Sequence, residues 1–250
     1  MKRVKLIVAY DGTNYCGWQV QPNQTTVEGV LNATLREFFK EDITVIGASR
    51  TDSGVHAMGN VAVFDTETRM PAEKISYALN QRLPEDIRIQ KSEEVEADFH
   101  PRHQECRKTY RYRVVASEFP NPVKRLYTHF VYRALDLEKI REAASYLVGT
   151  HDFKSFCSVN TQVKETVRTI YDIQVKQIED EVIFEVNGNG FLYNMVRIIA
   201  GTLLQVGMGA INPKDIPEIL EAKDRTKAGP TAPAKGLMLV EIEYLIAKNS

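Results

Sequence analysis

The stretch TTVEGVLNATLREFF, residues 25–39, has the clearest local pattern in the chain and predicts an amphipathic helix. Thr25 and Glu28 have the spacing of a capping box at its start. The apolar side chains that share one face of this helix are Val27, Val30, Leu31 and Leu35. We assign the neighbouring strands and helices outward from this helix.

Strand and helix patterns alternate on both sides of this helix. In the first half they predict strand 4–9, helix 25–39, strands 43–48 and 60–65, helix 71–82 and strand 87–95. This is the βαββαβ order of a ferredoxin-like unit. The second half predicts strands 109–116 and 127–132, helix 137–147, strands 167–177 and 182–187, helices 192–206 and 213–222, and strand 237–244. We therefore expect an α+β fold of two related halves, divided into domains 1–104 and 105–250.

The composition indicates a globular protein of a reducing compartment. The chain has 250 residues, a formal net charge of −1 and three widely spaced cysteines, a number and spacing that argue against a disulfide framework. The apolar run at the start is too short for a signal peptide, and no apolar stretch is long enough to span a membrane. We expect a cytoplasmic location and no membrane partner.

One segment, HPRHQECRKTYRYRVV (100–115), combines clustered positive charge with aromatic residues. Its cations are Arg102, Arg107, Lys108, Arg111 and Arg113. Such a mixture can neutralise phosphate and stack on bases, which favours RNA binding. A solvated strand face is the alternative, and this segment alone does not separate the two.

A second segment, GASRTDSGVHA (47–57), concentrates polar residues in a predicted loop between two strands. Such a loop can carry chemistry, although Asp52 and Ser53 are also ordinary turn formers. Asp52 is a lone carboxylate with Arg50 nearby, so it suits a nucleophile better than a two-carboxylate acid and base pair. A reaction that breaks and remakes a glycosidic bond without net hydrolysis would fit a single aspartate.

Other common sites are not predicted. No phosphate-binding GxxxxGK[ST] is present, and the glycines of NGNGF and VGMGA lack the dinucleotide-binding context, so we expect no nucleotide cofactor. His100, His103 and Cys106 have no second ligand pair at a zinc-like interval, so we expect no metal. A serine hydrolase is excluded by the absence of G-x-S-x-G.

Five blocks, in order across nearly the whole chain, resemble the tRNA pseudouridine synthase A family. They are YDGTNYCGWQVQ (10–21), GASRTDSGVHA (47–57), KTYRYRV (108–114), FLYNMVRIIAGTLLQVG (191–207) and AKDRTKAGPTAPAKGL (222–237). The resemblance implies two α+β halves that form a continuous, mainly antiparallel sheet with a cleft. It also implies a cofactor-free isomerase that converts uridine to pseudouridine in the anticodon stem-loop of tRNA, at positions 38, 39 and 40, and a homodimer that binds the tRNA.

The same resemblance assigns roles to four residues. Asp52 is the expected nucleophile, Arg50 helps to extrude the target base, Tyr110 packs against the uracil, and Arg197 pairs with the nucleophile. We interpret Trp18, His56 and Tyr112 as packing residues, the last because it shares a strand face with Tyr110. The alternative from another class is an RNA-binding protein without catalytic activity.

Overall fold

The computed structural model describes residues 1–159, 163 and 165–245, which divide into two compact units. The first comprises Met1–Cys106 and the segment that begins at Leu239, and the second comprises Arg107–Met238. The boundary between domains 1–104 and 105–250 stays a prediction. The compact units differ from it in that most of the final strand groups with the first unit.

The strands and α-helices follow one another in this order: β1 (Lys2–Tyr10), α1 (Val27–Phe39), β2 (Ile46–Gly47), β3 (His56–Thr66), α2 (Ala72–Asn80), β4 (Ile87–Val95), β5 (Cys106–Ala116), β6 (His129–Val131), α3 (Leu137–Ser145), β7 (Gly149–Asp152), β8 (Val167–Ile178), β9 (Glu181–Gly188), α4 (Met195–Gly207), α5 (Ile216–Ala222) and β10 (Leu237–Tyr244).

In the first unit, β1 lies between β4 and β3 and is antiparallel to both. Alternate residues of β1 are buried from Val4 to Tyr10, as period-two patterning requires. The register of β1 shifts against β3 between Val8 and Tyr10, and against β4 between Ile7 and Val8. β2 and β10 both border β3. The predicted βαββαβ order is confirmed here.

The predicted strand 43–48 is wrong in length, since β2 contains only Ile46 and Gly47. The preceding backbone groups are bonded to side chains of α1 instead of to a strand. The Val45 N–H donates to Asn32 Oδ1 at 2.9 Å, and Arg36 Nε donates to the Ile43 carbonyl at 2.8 Å. Local apolar pattern alone does not reveal this competition for hydrogen bonds.

The predicted cap of α1 is displaced by one residue. Thr26 is the N-cap and its side chain accepts from the Gly29 N–H, so Thr25 and Glu28 do not form a capping box. Glu28 instead accepts a hydrogen bond from the Val20 N–H at 2.9 Å. The apolar face is close to the prediction, with Val27, Leu31 and Leu35 buried.

In the second unit the strand order is β5-β9-β8-β7, with antiparallel pairing, and β6 runs parallel to β5. Its core includes Tyr112 and Phe184, which face each other in register and are completely buried. α4 begins at Met195, later than predicted, because Asn194 before it is left-handed with φ of 60°. Strand β7 was not predicted, since four residues carry too little pattern. The α+β class with mainly antiparallel pairing is confirmed.

An ion pair across β1 and β3 makes the stability of the first unit sensitive to acid. Arg3 donates from Nε and Nη2 to both carboxylate oxygens of Asp65, at 2.8 and 2.7 Å. These hydrogen bonds hold the pKa of the Asp65 carboxyl below its ordinary value. A group with a lowered folded pKa stabilises the fold above its unfolded pKa of about 4, and this contribution disappears as the pH falls through the folded value.

We predict that Asp65→Asn lowers the free energy of unfolding at pH 7 by about 1 kcal/mol or less, because the pair is partly exposed to solvent. Urea unfolding of wild type and variant at pH 7 and near pH 3 measures the effect. The difference must shrink at the lower pH. An equal difference at both pH values would contradict the ion-pair explanation.

Candidate functional site

Asp52 lies in the loop that connects β2 to β3 in the first unit. Its side chain is half-buried, whereas Arg50 is exposed. The Asp52 carbonyl accepts from the Val55 N–H at 3.1 Å, and Gly54 within this turn has a φ of +76°. Asp52 therefore does begin a turn, and the turn presents its carboxyl group partly to solvent.

The segment that follows β1 holds this loop by its backbone. Trp18 N–H donates to the Thr51 carbonyl at 3.0 Å. The Tyr15 carbonyl accepts from the Gly54 N–H and from the Ser53 hydroxyl, both at 3.3 Å. Two sequence blocks that are separated by more than twenty residues thus form one local structure around Asp52.

Two glycines allow this close contact between the segments. A Cβ atom at Gly12 would lie 2.0 Å from the Val55 carbonyl oxygen, and one at Gly17 would lie 2.6 Å from the Thr51 carbonyl oxygen. Gly17 also has a φ of +86°, a conformation that other residues rarely adopt. Any larger side chain at either position would push the Asp52 loop away.

Trp18 and His56 are packing residues of this loop, in agreement with the sequence interpretation. Trp18 is buried with its ring 5.9 Å from that of Tyr10. His56 is 2% exposed, and its Nδ1 lies 3.1 Å from both the Gly12 N–H nitrogen and Asp11 Oδ1. Nδ1 accepts from Gly12 when unprotonated and donates to Asp11 when protonated, so the two contacts are alternatives.

Tyr110 and Tyr112 lie on β5 in the second unit, and both are buried. Tyr110 is 7% exposed and packs edge-to-face on Phe191, with ring centroids 5.2 Å apart. Tyr112 donates its hydroxyl to the Pro233 carbonyl at 2.8 Å, and burial raises its pKa. The prediction that Tyr112 belongs to the core is confirmed.

Arg197 lies on α4 and is tethered rather than free on the surface of the helix. Its Nε donates to the Ala232 carbonyl at 2.8 Å, and its Nη1 donates to Asn194 Oδ1 at 2.7 Å. Asn194 is held in turn by Ser158, whose hydroxyl accepts from Asn194 Nδ2 at 2.8 Å. The sequence analysis proposed Arg197 as a site residue but did not predict Asn194 as a partner that orients it.

Two of the five cations in the basic segment are neutralised by glutamates of the second unit. Arg111 donates two hydrogen bonds to Glu185, and Arg113 donates two to Glu181. These glutamates lie on β9, so their distance in sequence concealed the pairing. Arg111 and Arg113 therefore form part of a charge-paired strand face, as the alternative interpretation of this segment expected.

Arg102 and Arg107 differ from these paired arginines. Arg102 donates from Nε to the Gly47 carbonyl at 2.8 Å, which anchors the start of the Asp52 loop. Arg107 is exposed, and its guanidinium lies 4.8 Å from the ring centroid of Tyr171. Tyr171 occupies the register shift between β8 and β9. An arginine stacked on an exposed tyrosine can contact both phosphate and base.

Within the described ranges, no three His, Cys, Asp or Glu side chains are grouped so that they could hold a metal ion. His100 and His103 stack on each other with ring centroids 3.8 Å apart. Among the same residues, every helix is too short or too polar to cross a membrane.

Comparison with known proteins identifies the family. A sequence profile described as tRNA pseudouridine synthase matches residues 6–104 and 143–245. The chain belongs to the tRNA pseudouridine synthase family. A relative from Acetivibrio thermocellus, named tRNA pseudouridine synthase A, is 50% identical over 244 residues, covering 98% of this chain and 100% of its own. Another of the same name from Brevibacillus brevis is 50% identical over 244 residues, with the same coverage.

The similarity to solved structures is low. A chain from "Crystal Structure of a Cbf5-Nop10-Gar1 Complex" is 15% identical with a TM-score of 0.35, and the match covers 80% of this chain and 54% of that one. Family membership rests on the sequence relatives. It makes this pseudouridine synthase an isomerase that acts on uridine in tRNA, and it decides against the alternative of a non-catalytic RNA-binding protein.

In this synthase, two glycines with positive φ provide a matched test of the loop contacts. Gly17→Ala and Gly209→Ala both place a Cβ on left-handed backbone, with φ of +86° and +80°. That conformation costs about 1–2 kcal/mol for either alanine. Only at Gly17 does the Cβ meet a backbone oxygen, since at Gly209 no described atom lies within 4 Å.

We therefore predict that Gly17→Ala lowers the melting temperature more than Gly209→Ala, and that it alone slows pseudouridine formation. Thermal unfolding and a turnover assay on the same preparations measure both effects. Equal losses of stability with unchanged turnover would show that the loop relaxes freely around the added methyl group.

Proposed function

We propose that this synthase converts uridine to pseudouridine in the anticodon stem-loop of tRNA, at positions 38, 39 and 40, with Asp52 as the nucleophile and without a cofactor. The observation that carries the proposal is the placement of Asp52, a half-buried carboxyl group on a turn whose backbone is bonded on both sides. A fixed and partly solvated carboxylate can approach a substrate with little reorganisation. The resemblance of the RTDSGVHA block supports the same role.

In the proposed reaction, Asp52 attacks either C1′ of the ribose or the uracil ring. The glycosidic bond to N1 breaks, the detached base rotates, and C5 forms the new bond to C1′. The hydrogen on C5 then leaves as a proton and N1 gains one, so the reaction is an isomerisation that needs no oxidant or second substrate. In the first route the bond between Asp52 and C1′ breaks as C5 bonds to C1′, and in the second route Asp52 leaves the uracil ring after that bond has formed, so either route regenerates the free carboxylate.

Three further residues have proposed roles in this reaction. Arg50 is exposed and adjoins the Asp52 turn, which suits a side chain that takes the place of an extruded base. Tyr110 would supply an aromatic face to the uracil, and Arg197 would pair with the nucleophile. The bonds to Ala232 and Asn194 fix the direction of the Arg197 guanidinium, which supports a directed role for this side chain.

We also propose a cytoplasmic homodimer that binds one tRNA across both subunits, on the basis of the family resemblance. Sedimentation of the purified protein at micromolar concentration tests the dimer. A single monomeric species that retains full activity would contradict it.

The central prediction concerns Asp52→Asn, which keeps the size of the side chain and removes the negative charge that makes the carboxylate a nucleophile. We expect tRNA binding to persist and isomerisation to fall to background. Release of tritium from C5-labelled uridine in an unmodified transcript measures turnover, and filter retention at fixed salt measures binding. Asp65→Asn is the matched control, because it removes a carboxylate from β3 without touching the Asp52 loop.

Near-normal tritium release by Asp52→Asn, in protein shown by mass to be free of deamidation, would overturn the proposed nucleophile. The same assay with a prefolded stem-loop and excess chelator tests the cofactor-free mechanism. Activity that is abolished by the chelator and restored only by zinc would contradict it.

A further prediction separates phosphate contacts from paired arginines. Arg107→Ala should weaken tRNA binding and reduce the slope of log affinity against log salt by about 1, because an exposed arginine that binds phosphate displaces a counterion. Arg111→Ala is the control, since Glu185 already occupies that guanidinium. Titrations at several salt concentrations measure both slopes. Equal slopes for the two variants would remove Arg107 from the RNA-binding surface.

A further inference from the structure

A buried polar network lies beside the Asp52 loop. Tyr10, Thr51 and Asn60 are 4%, 7% and 0% exposed. The hydroxyl groups of Tyr10 and Thr51 are 2.7 Å apart and hydrogen-bonded. Asn60 Nδ2 donates to the Ser49 carbonyl at 3.0 Å and lies 3.5 Å from the Tyr10 hydroxyl. The network joins the end of β1 and the beginning of β3 to the loop.

Asn60 interrupts an otherwise apolar stretch of β3. Residues 61–64 are Val, Ala, Val and Phe, and all of them are buried. An amide in such a position lowers stability unless its donors and acceptor are all bonded, so an apolar residue would be the simpler choice for packing alone. Asn60 Oδ1 accepts from the Val61 N–H at 2.9 Å, and Nδ2 serves the loop. The hydrogen bond from Asn60 to the loop therefore explains this amide better than a packing role in the core does.

The network fixes the loop on both sides of Arg50. Asn60 holds the carbonyl of Ser49, which precedes Arg50, and Tyr10 holds the side chain of Thr51, which precedes Asp52. The backbone carbonyl of Thr51 is held separately by the Trp18 N–H. The residues before Arg50 and before Asp52 are thus immobilised from the core side.

We propose that Tyr10, Thr51 and Asn60 are positioning residues, which hold Asp52 and Arg50 in the geometry needed for reaction with the flipped uridine. The proposal rests on the proposed role of Asp52. Loss of the network would leave the substrate-binding surface in place but allow the Asp52 carboxyl group to move away from its reactive position. Because misplacement of a reacting group by about 1 Å can lower the rate by about 100-fold, the effect must appear in kcat.

The test compares two tyrosine hydroxyl groups of the same unit. Tyr10→Phe removes the bond to Thr51, and Tyr244→Phe removes a hydroxyl that donates to the Pro101 carbonyl at 2.9 Å, outside the network. Each deletion is expected to lower stability by a similar, modest amount. Tritium release gives kcat and KM, filter retention gives the Kd for tRNA, and thermal unfolding gives the stability of each variant.

We expect Tyr10→Phe to lower kcat by about tenfold or more while KM and Kd change by less than about twofold. Tyr244→Phe should retain the wild-type kcat. Thr51→Val should show the same loss of kcat as Tyr10→Phe. Thr51→Ser should keep a kcat near that of the wild type, because it keeps the hydroxyl. The double variant Tyr10→Phe/Thr51→Val should be no slower than either single variant, because both changes break the same bond.

A wild-type kcat in both Tyr10→Phe and Thr51→Val would overturn the proposal, and so would equal kcat losses in Tyr10→Phe and Tyr244→Phe at equal stability. These outcomes are distinct from a failure of the proposed function, which active Asp52→Asn would reveal. If Asp52→Asn is inactive and Tyr10→Phe is fully active, the positioning role of the network is rejected and the role of Asp52 as nucleophile is retained.

Discussion

The antiparallel ladder between β1 and β3 determines where the parts of the candidate site meet. In an antiparallel pair the end of one strand lies beside the beginning of the other, so Tyr10 at the end of β1 faces Ala57 at the beginning of β3. The segment that leaves β1 and the loop that enters β3 are therefore neighbours. Every backbone bond from Trp18 and Tyr15 to the Asp52 loop follows from this arrangement.

The amino-acid sequence carries much of this information in a local form. The periodicity around 25–39 and in the strands predicted the βαββαβ order, and the RTDSGVHA block pointed to the loop that contains Asp52. The sequence pattern does not reveal which side chains bond to partners that are distant in the chain. The partners of Arg111 and Arg113 are glutamates on β9, and the anchor of Arg197 is a carbonyl at Ala232. No local signal marks a backbone carbonyl as a partner.

The errors at β2 and at the start of α1 have a common physical origin. Polar side chains took backbone hydrogen bonds that pattern analysis assigns to a strand or to a different cap. Asn32 and Arg36 satisfy the backbone before β2, and Thr26 rather than Thr25 caps α1. Asn60 is the converse case, because an amide inside an apolar strand was a visible signal of a demand for hydrogen bonds. The sequence prediction did not use this signal, and the structure shows that Asn60 bonds to the Ser49 carbonyl of the loop.

The paired irregularities in β1 have a mechanical consequence. The strand is offset against β4 between Ile7 and Val8 and against β3 between Val8 and Tyr10, so both of its edges are irregular near the same end. A regular strand can slip by two residues and keep its apolar face inward, whereas an offset on each edge admits only one alignment. β1 is thereby held in a single alignment, which fixes the position of Tyr10 relative to both neighbouring strands. A change in this alignment would displace the Asp52 loop as well, because the loop enters β3 beside the end of β1.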